Sequence, residues 1–179
     1  MDVPALEPIH RIVLVGMMCS GKSAVGAALA KRLGWAHLDL DREIERVAGR
    51  SVREIFAQEG EPTFRALEAQ ATRHAADRTH VVLSPGGGWI TNPALLDALG
   101  PGTVCVWLQV SPEEAVRRSA AAPGERPLLA GADPLGAVRR LLAEREPFYA
   151  RAHRALPTDG RSVEDAAREI HESIRGRIA

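Results

Sequence analysis

Eight consecutive residues, Gly16-Met17-Met18-Cys19-Ser20-Gly21-Lys22-Ser23, fit the spacing G-x-x-x-x-G-K-[ST]. That spacing suits phosphate binding. A tight glycine turn aims backbone N–H groups at an oxyanion, a helix starting beyond the second glycine adds partial positive charge, and the lysine ammonium reaches the outer phosphates. The Ser23 hydroxyl is then placed to ligate a magnesium ion. Only Lys22 and Lys31 are lysines among the 23 basic residues, so the lysine kept at this position is informative. Cys19, Ser20, Gly21, Lys22, Ser23 and Ala24 form the expected phosphate-contacting set. Cys19 is the unusual member, because a Cβ resists any left-handed backbone conformation the loop requires. An ordinary glycine-containing turn with a surface lysine is the competing reading.

A second set of residues suits the other side of a transfer reaction. Asp39-Leu40-Asp41 separates two carboxylates by two positions at the end of an expected strand, whose alternation would point both the same way. Asp39 is expected in the magnesium shell, and Asp41 is expected to orient and deprotonate an acceptor hydroxyl. A helix N-cap at Asp41 is the plainer alternative. Arg65 lies between Phe64 and Leu67, where an i,i+3 pair with Glu68 would also account for it. Gly86-Gly87-Gly88 permits close backbone approach to a ligand. Pattern alone singles out neither Arg126, in a Pro/Gly-rich stretch, nor Arg145, two residues before Pro147.

The elements that must carry these residues alternate. Apolar runs predict strands over Arg11–Gly16, Ala36–Leu40, His80–Leu83 and Thr103–Leu108, with a last one near Ala152–Leu156. Helical patterns occupy Lys22–Leu33, Arg42–Ala48, Val52–Gln58, Glu61–Asp77 and Pro93–Leu99. Others start at Pro112 behind a Ser111 cap, run from Leu135 to about Glu146, and span Val163–Ile174 behind Ser162. Residues 121–134 hold three prolines and two glycines and are expected to form a mobile loop. Continuously apolar strands alternating with helices imply an α/β, three-layer domain with a parallel sheet covered on both faces. Ligands in such sheets sit beyond the carboxyl ends of the strands.

The 179 residues suit one domain, and a chain of this length buries roughly 70% of its unfolded surface, enough to fold without disulfide or structural metal. Two cysteines make no disulfide framework, and the Ile12–Val15 run is too short for a signal core or membrane span, so a cytoplasmic location is expected. The 23 basic and 23 acidic residues cancel, which argues against a general nucleic-acid or membrane binder.

From about Arg11 to Ile174 the chain resembles the shikimate kinase family, with several motifs in register. The phosphate loop is followed by the Asp39/Asp41 pair, Gly60-Glu61 with Phe64-Arg65 and Glu68, the triple glycine, Arg126-Pro127-Leu128-Leu129, and Arg145-x-Pro-x-Tyr. The resemblance implies a P-loop kinase fold with a five-stranded sheet in the order 2-3-1-4-5 and a lid at about 121–134. It also implies a shikimate-binding helical region at about 41–77. The implied activity is ATP- and Mg2+-dependent phosphorylation of the 3-hydroxyl of shikimate, feeding chorismate and aromatic amino-acid synthesis, in a protein expected to be monomeric. It implies that Asp41 is the base and that Arg65 and Arg145 hold the substrate carboxylate, as a planar guanidinium does well. Gly86, Gly87 and Gly88 would line the substrate, with Gly87 offering a backbone contact. Arg126 would be the catalytic lid arginine, acting with Lys22, while Arg118 and Arg161 would contact adenine. A gluconate or nucleoside-monophosphate kinase is the rival enzyme reading, and a non-transferring ATP-binding regulator is the rival from another class.

Overall fold

The computed structural model describes residues 7–121 and 131–178. Arg126 and most of the expected lid lie outside the described residues. Five short strands build one sheet: β1 (Arg11–Val15), β2 (Ala36–Asp39), β3 (Val81–Ser84), β4 (Thr103–Gln109) and β5 (Arg154–Pro157). Their order is β2-β3-β1-β4-β5 and every pairing is parallel, as expected.

Helices cover both faces, which is why β1 is buried along its whole length. Ile12 and Leu14 pack with Val25 and Leu29 of α1 (Lys22–Leu33) and Ile170 and Ile174 of α7 (Val163–Ile174). Val13 and Val15 belong to the opposite core, which also contains residues of α2 (Leu40–Ala48), α3 (Val52–Ala76), α4 (Pro93–Ala98) and α6 (Pro134–Tyr149). The remaining helix, α5 (Pro112–Ala121), follows β4 and leads towards the undescribed segment.

Local chemistry sets most boundaries. The α1 helix ends on Gly34 with φ 70°, Ser51 and Glu54 form a reciprocal capping box at α3, and the Ser162 hydroxyl caps α7. The two helical stretches expected before and after Gly60 are joined in α3, with Gly60 (φ 80°, ψ 174°) as the break between them. At α6 the helix continues through Pro147 to Tyr149, beyond the expected end.

One expectation needs correction. The chain leaves β2 at Asp39 and is already helical at Leu40, so strand alternation does not orient the two aspartates. Asp39 is the N-cap, accepting from the Arg42 N–H, and Asp41 sits in the first turn of α2. The driving features are an Asp suited to capping and the burial of Leu40 and Ile44 on one helical face.

At the end of the sheet remote from these aspartates, Arg11 is 3% exposed. Its guanidinium donates to the carbonyls of Leu99 and Ala76, both at 2.6 Å, to Arg78 O at 2.8 Å and to Thr103 Oγ1 at 2.8 Å. It thereby satisfies carbonyls left over where α3 and α4 end.

Candidate active site

The loop between β1 and α1 closes tightly. Gly16 has φ 150°, and a Cβ there would run into the Leu108 carbonyl and the Ser20 side chain. Cys19 adopts φ 62°, the left-handed conformation its Cβ opposes, at a cost of about 1–2 kcal/mol. Gly21 (φ 93°) starts α1 without a side-chain cap, so the helix presents its first-turn N–H groups to a ligand. The Ser20 hydroxyl is buried and has no hydrogen-bond partner.

Lys22 Nζ donates to the carbonyls of Gly16 at 2.9 Å and Met17 at 3.0 Å. Burial pushes this ammonium down to about 8, against the opposing pull of Asp41, Cys19 and Asp39. Ser23 Oγ donates to Asp39 Oδ2 at 2.6 Å. These two oxygens fit magnesium, which in nucleotide sites takes one or two protein oxygens and completes its shell with phosphate and water.

The acceptor side is built around the triple glycine, and each glycine lies against a different charged side chain. A Cβ on Gly86 would sit 3.1 Å from Asp41 Oδ1, one on Gly87 would sit 3.2 Å from an Arg145 guanidinium nitrogen, and one on Gly88 would sit 2.7 Å from an Arg65 nitrogen. The expected substrate set is therefore brought together. Asp41 Oδ1 is buried without a hydrogen-bond partner. Burial raises the carboxyl above its ordinary range, Asp39 adds to this, and Lys22 and Arg65 oppose it.

Arg65 is held in place. It donates to Glu68 Oε2 at 2.8 Å and to Glu61 Oε1 at 3.0 Å, so the pairing weighed against a substrate role is present and orients the side chain. Glu68 is 1% exposed, and its other oxygen has no partner. Burial drives its affinity for a proton up. Tyr149 is a positioning residue that the pattern of residues does not single out. Its hydroxyl donates to Gly87 O at 2.7 Å, and its ring stacks on Trp107 with centroids 5.6 Å apart. The Arg145-x-Pro-x-Tyr spacing was its only trace in the sequence.

Beside the phosphate loop lies a cleft of about 510 Å3 whose lining includes Cys19, Gly21, Arg118, Thr158, Arg161 and Ser162. Arg118 spans two walls, donating to Cys19 O at 3.1 Å, Thr158 O at 2.7 Å and Glu114 Oε1 at 2.7 Å. Arg161 pairs with Glu169 at the far side. Ala24, in the first turn of α1, is exposed.

A parallel sheet of this order, with a phosphate loop after its first strand and a carboxylate flanked by arginines across from it, defines a P-loop kinase of small molecules. Within that class the chain belongs to the shikimate kinase family: the family model "Shikimate kinase" matches residues 18–175. A shikimate kinase of Symbiobacterium thermophilum is 46% identical over 171 residues, covering 93% of this chain and 97% of that one. The structure of shikimate kinase from Acinetobacter baumannii in complex with shikimate superposes with a TM-score of 0.85 at 35% identity, covering 95% of each chain. The shikimate kinase structure from Bacteroides thetaiotaomicron gives 0.86 at 30% identity, covering 93% of this chain and 98% of that one.

Proposed function

We propose that this chain transfers the γ-phosphoryl group of ATP to the 3-hydroxyl of shikimate, releasing ADP and shikimate 3-phosphate. The carrying observation is the buried, unpartnered Asp41 Oδ1 between Lys22 and Arg65, with the Gly86 backbone against it. An acceptor hydroxyl donating to that oxygen satisfies it and is aimed towards the phosphate loop.

The transfer is an in-line displacement, in which the acceptor oxygen forms a bond to the γ-phosphorus while the bond to the β–γ bridging oxygen breaks. Asp41 Oδ1 takes the hydroxyl proton, and the raised proton affinity of its carboxyl suits it to that task. Lys22 leaves the Gly16 and Met17 carbonyls for the β- and γ-oxygens, and the uncapped N-terminus of α1 receives the β-phosphate. Ser23 and Asp39 would hold magnesium, which when bound would supply neutralising charge at the phosphate oxygens. Arg65 and Arg145 grip the substrate carboxylate, and Gly86, Gly87 and Gly88 let the ring approach the backbone.

Adenine occupies the cleft lined by Arg118 and Arg161. Arg126, outside the described residues, keeps the catalytic lid role that the resemblance implies. No described helix is long and apolar enough to cross a membrane; a monomer working in the cytoplasm is part of this reading. Two arginines facing one aspartate suit a small carboxylated polyol, whereas a nucleotide acceptor would call for base recognition.

The test is ADP release coupled to NADH oxidation, with shikimate, gluconate and AMP compared side by side, with and without Mg2+. Turnover dependent on both shikimate and Mg2+ is expected. Release with gluconate or AMP alone, or with no acceptor at all, overturns the assignment.

A further inference from the structure

Behind the phosphate loop, on the sheet face that α1 covers, a three-member hydrogen-bond chain joins His37 of β2 and the tip of β3 to the first turn of α1. Ser84 Oγ lies 3.0 Å from Lys22 O and 2.9 Å from His37 Nε2. The Lys22 carbonyl can only accept, so the Ser84 hydroxyl proton is committed to it. His37 Nε2 must then carry the hydrogen and donate to Ser84 Oγ. Ser84 is 2% exposed, so water does not compete for this chain.

The surroundings are shaped for it. A Cβ on Gly26 would lie 2.5 Å from Ser84 Oγ and 2.7 Å from His37 Nε2. Glycine inside a helix is unfavourable relative to alanine, and here it lets α1 come down onto the histidine–serine pair. His37 precedes Asp39 by two positions on β2, where side chains two apart share a face, and Asp39 pairs in register with Ser84. Two ties therefore hold the first turn of α1 to the strand tips: Ser23 Oγ to Asp39 Oδ2, which lies where substrates bind, and Ser84 to Lys22 O, which touches no substrate group.

We infer that His37 is a positioning residue for phosphoryl transfer, acting through Ser84 to set the first turn of α1, and with it Lys22 and Ser23, against Asp39. The inference rests on the kinase reading above. His37 touches no part of the acceptor site, so its loss displaces the phosphate and magnesium side and leaves the shikimate side in place.

The experiment compares His37→Leu, His37→Gln, Ser84→Ala and the double variant His37→Leu/Ser84→Ala by steady-state kinetics with varied Mg2+, alongside thermal melting. Expected for His37→Leu is a fall in kcat of about tenfold and a rise of threefold or more in the Mg2+ needed for half-maximal rate, with the KM for shikimate within about twofold of wild type. His37→Gln, whose amide nitrogen reaches the same hydroxyl, should recover most of the rate. In the Ser84→Ala background, His37→Leu should add nothing. If His37→Leu fails to fold, His37→Asn, too short to reach Ser84, takes its place. A melting shift with unchanged kcat and Mg2+ requirement overturns the inference, as does strict additivity of the two substitutions or failure of glutamine to rescue. A wild-type enzyme inert towards shikimate would instead defeat the kinase reading, so the two failures are distinguishable.

Discussion

The Tyr149 hydroxyl holds the Gly87 carbonyl at 2.7 Å across 62 residues of sequence, tying the end of α6 to the middle of the triple-glycine loop. The same helix carries Arg145, whose guanidinium lies against Gly87. One helical turn thus supplies both the charged group proposed to face the substrate and the donor that fixes the backbone beside it.

Tyr149→Phe removes this donor and the hydroxyl's contact with the Arg145 side chain, while the ring can still stack on Trp107. A hydrogen bond of this kind is worth about 0.5–1.5 kcal/mol, so the KM for shikimate should rise about two- to twelvefold while the KM for ATP stays put. Steady-state kinetics with each substrate varied checks it. Equal changes in both constants would mean a general loosening of the fold.

Arg65→Ala has two separable consequences. Shikimate loses a carboxylate partner, so its KM should rise at least about tenfold. Glu68, 1% exposed, also loses its charged partner. Its proton affinity is already raised by burial and rises further without the arginine that opposes the shift. A carboxyl with a raised folded-state pKa is favourable while protonated and loses that advantage as pH climbs through its folded value. Arg65→Ala should therefore melt lower at pH 8 than at pH 5 by a wider margin than wild type. Adding Glu68→Gln should restore the melting temperature without restoring shikimate binding. Calorimetry at both pH values, together with kinetics, separates the two effects.

What the sequence disclosed and what it hid divide along the range of the interactions involved. The phosphate loop, the break at Gly60 and the triple glycine are local features, since a glycine where φ is positive or backbone must approach closely marks itself. The strain at Cys19 was foreseeable for the same reason, and φ 62° is its outcome. The Asp39/Asp41 pair was recognisable by spacing but misread in geometry, because capping at Asp39 ended the strand one residue early. Arg145, Tyr149 and Arg118 act on residues tens of positions away, through α5 and α6 folding back over the loops. No local period encodes that meeting. Only the resemblance to a family drew out Arg145 and Arg118, and the support given to Gly87 by Tyr149 required coordinates.

Arg11 tests stability apart from catalysis. Arg11→Leu leaves the carbonyls of Ala76, Arg78 and Leu99 without their shared donor. Hydrogen bonds from a charged group contribute about 1.5–3 kcal/mol each, so a loss of about 3 kcal/mol or more in unfolding free energy is expected. Because Arg11 lies at the opposite end of the sheet from the phosphate loop, kcat per folded molecule should not change. Urea unfolding and an assay at low temperature read the two quantities, and a drop in kcat with unchanged stability would contradict the placement.

Lys22 makes nucleotide binding a proton-linked event. Its ammonium is pushed down to about 8 by burial while it rests on the Gly16 and Met17 carbonyls. In the unfolded chain a lysine titrates at about 10.4, so between that value and the folded one the unfolded state holds more protons, and the group's contribution to stability increases with pH. Phosphate acts in the opposite direction. An anion beside Nζ favours the charged form, so binding of magnesium-complexed ADP, whose phosphates are already ionised at these pH values, should draw a fraction of a proton from buffer at pH 8 and almost none at pH 6.5, where the ammonium is already charged. Above pH 8 the affinity should fall by up to about tenfold per pH unit, because the proton must be taken up at increasing cost. Titration calorimetry in buffers of different ionisation enthalpy measures the uptake directly, and Lys22→Met should abolish both the uptake and the pH slope. Proton release on binding, or an affinity flat from pH 7 to 9.5, would show that the resting lysine is not held in this poised state.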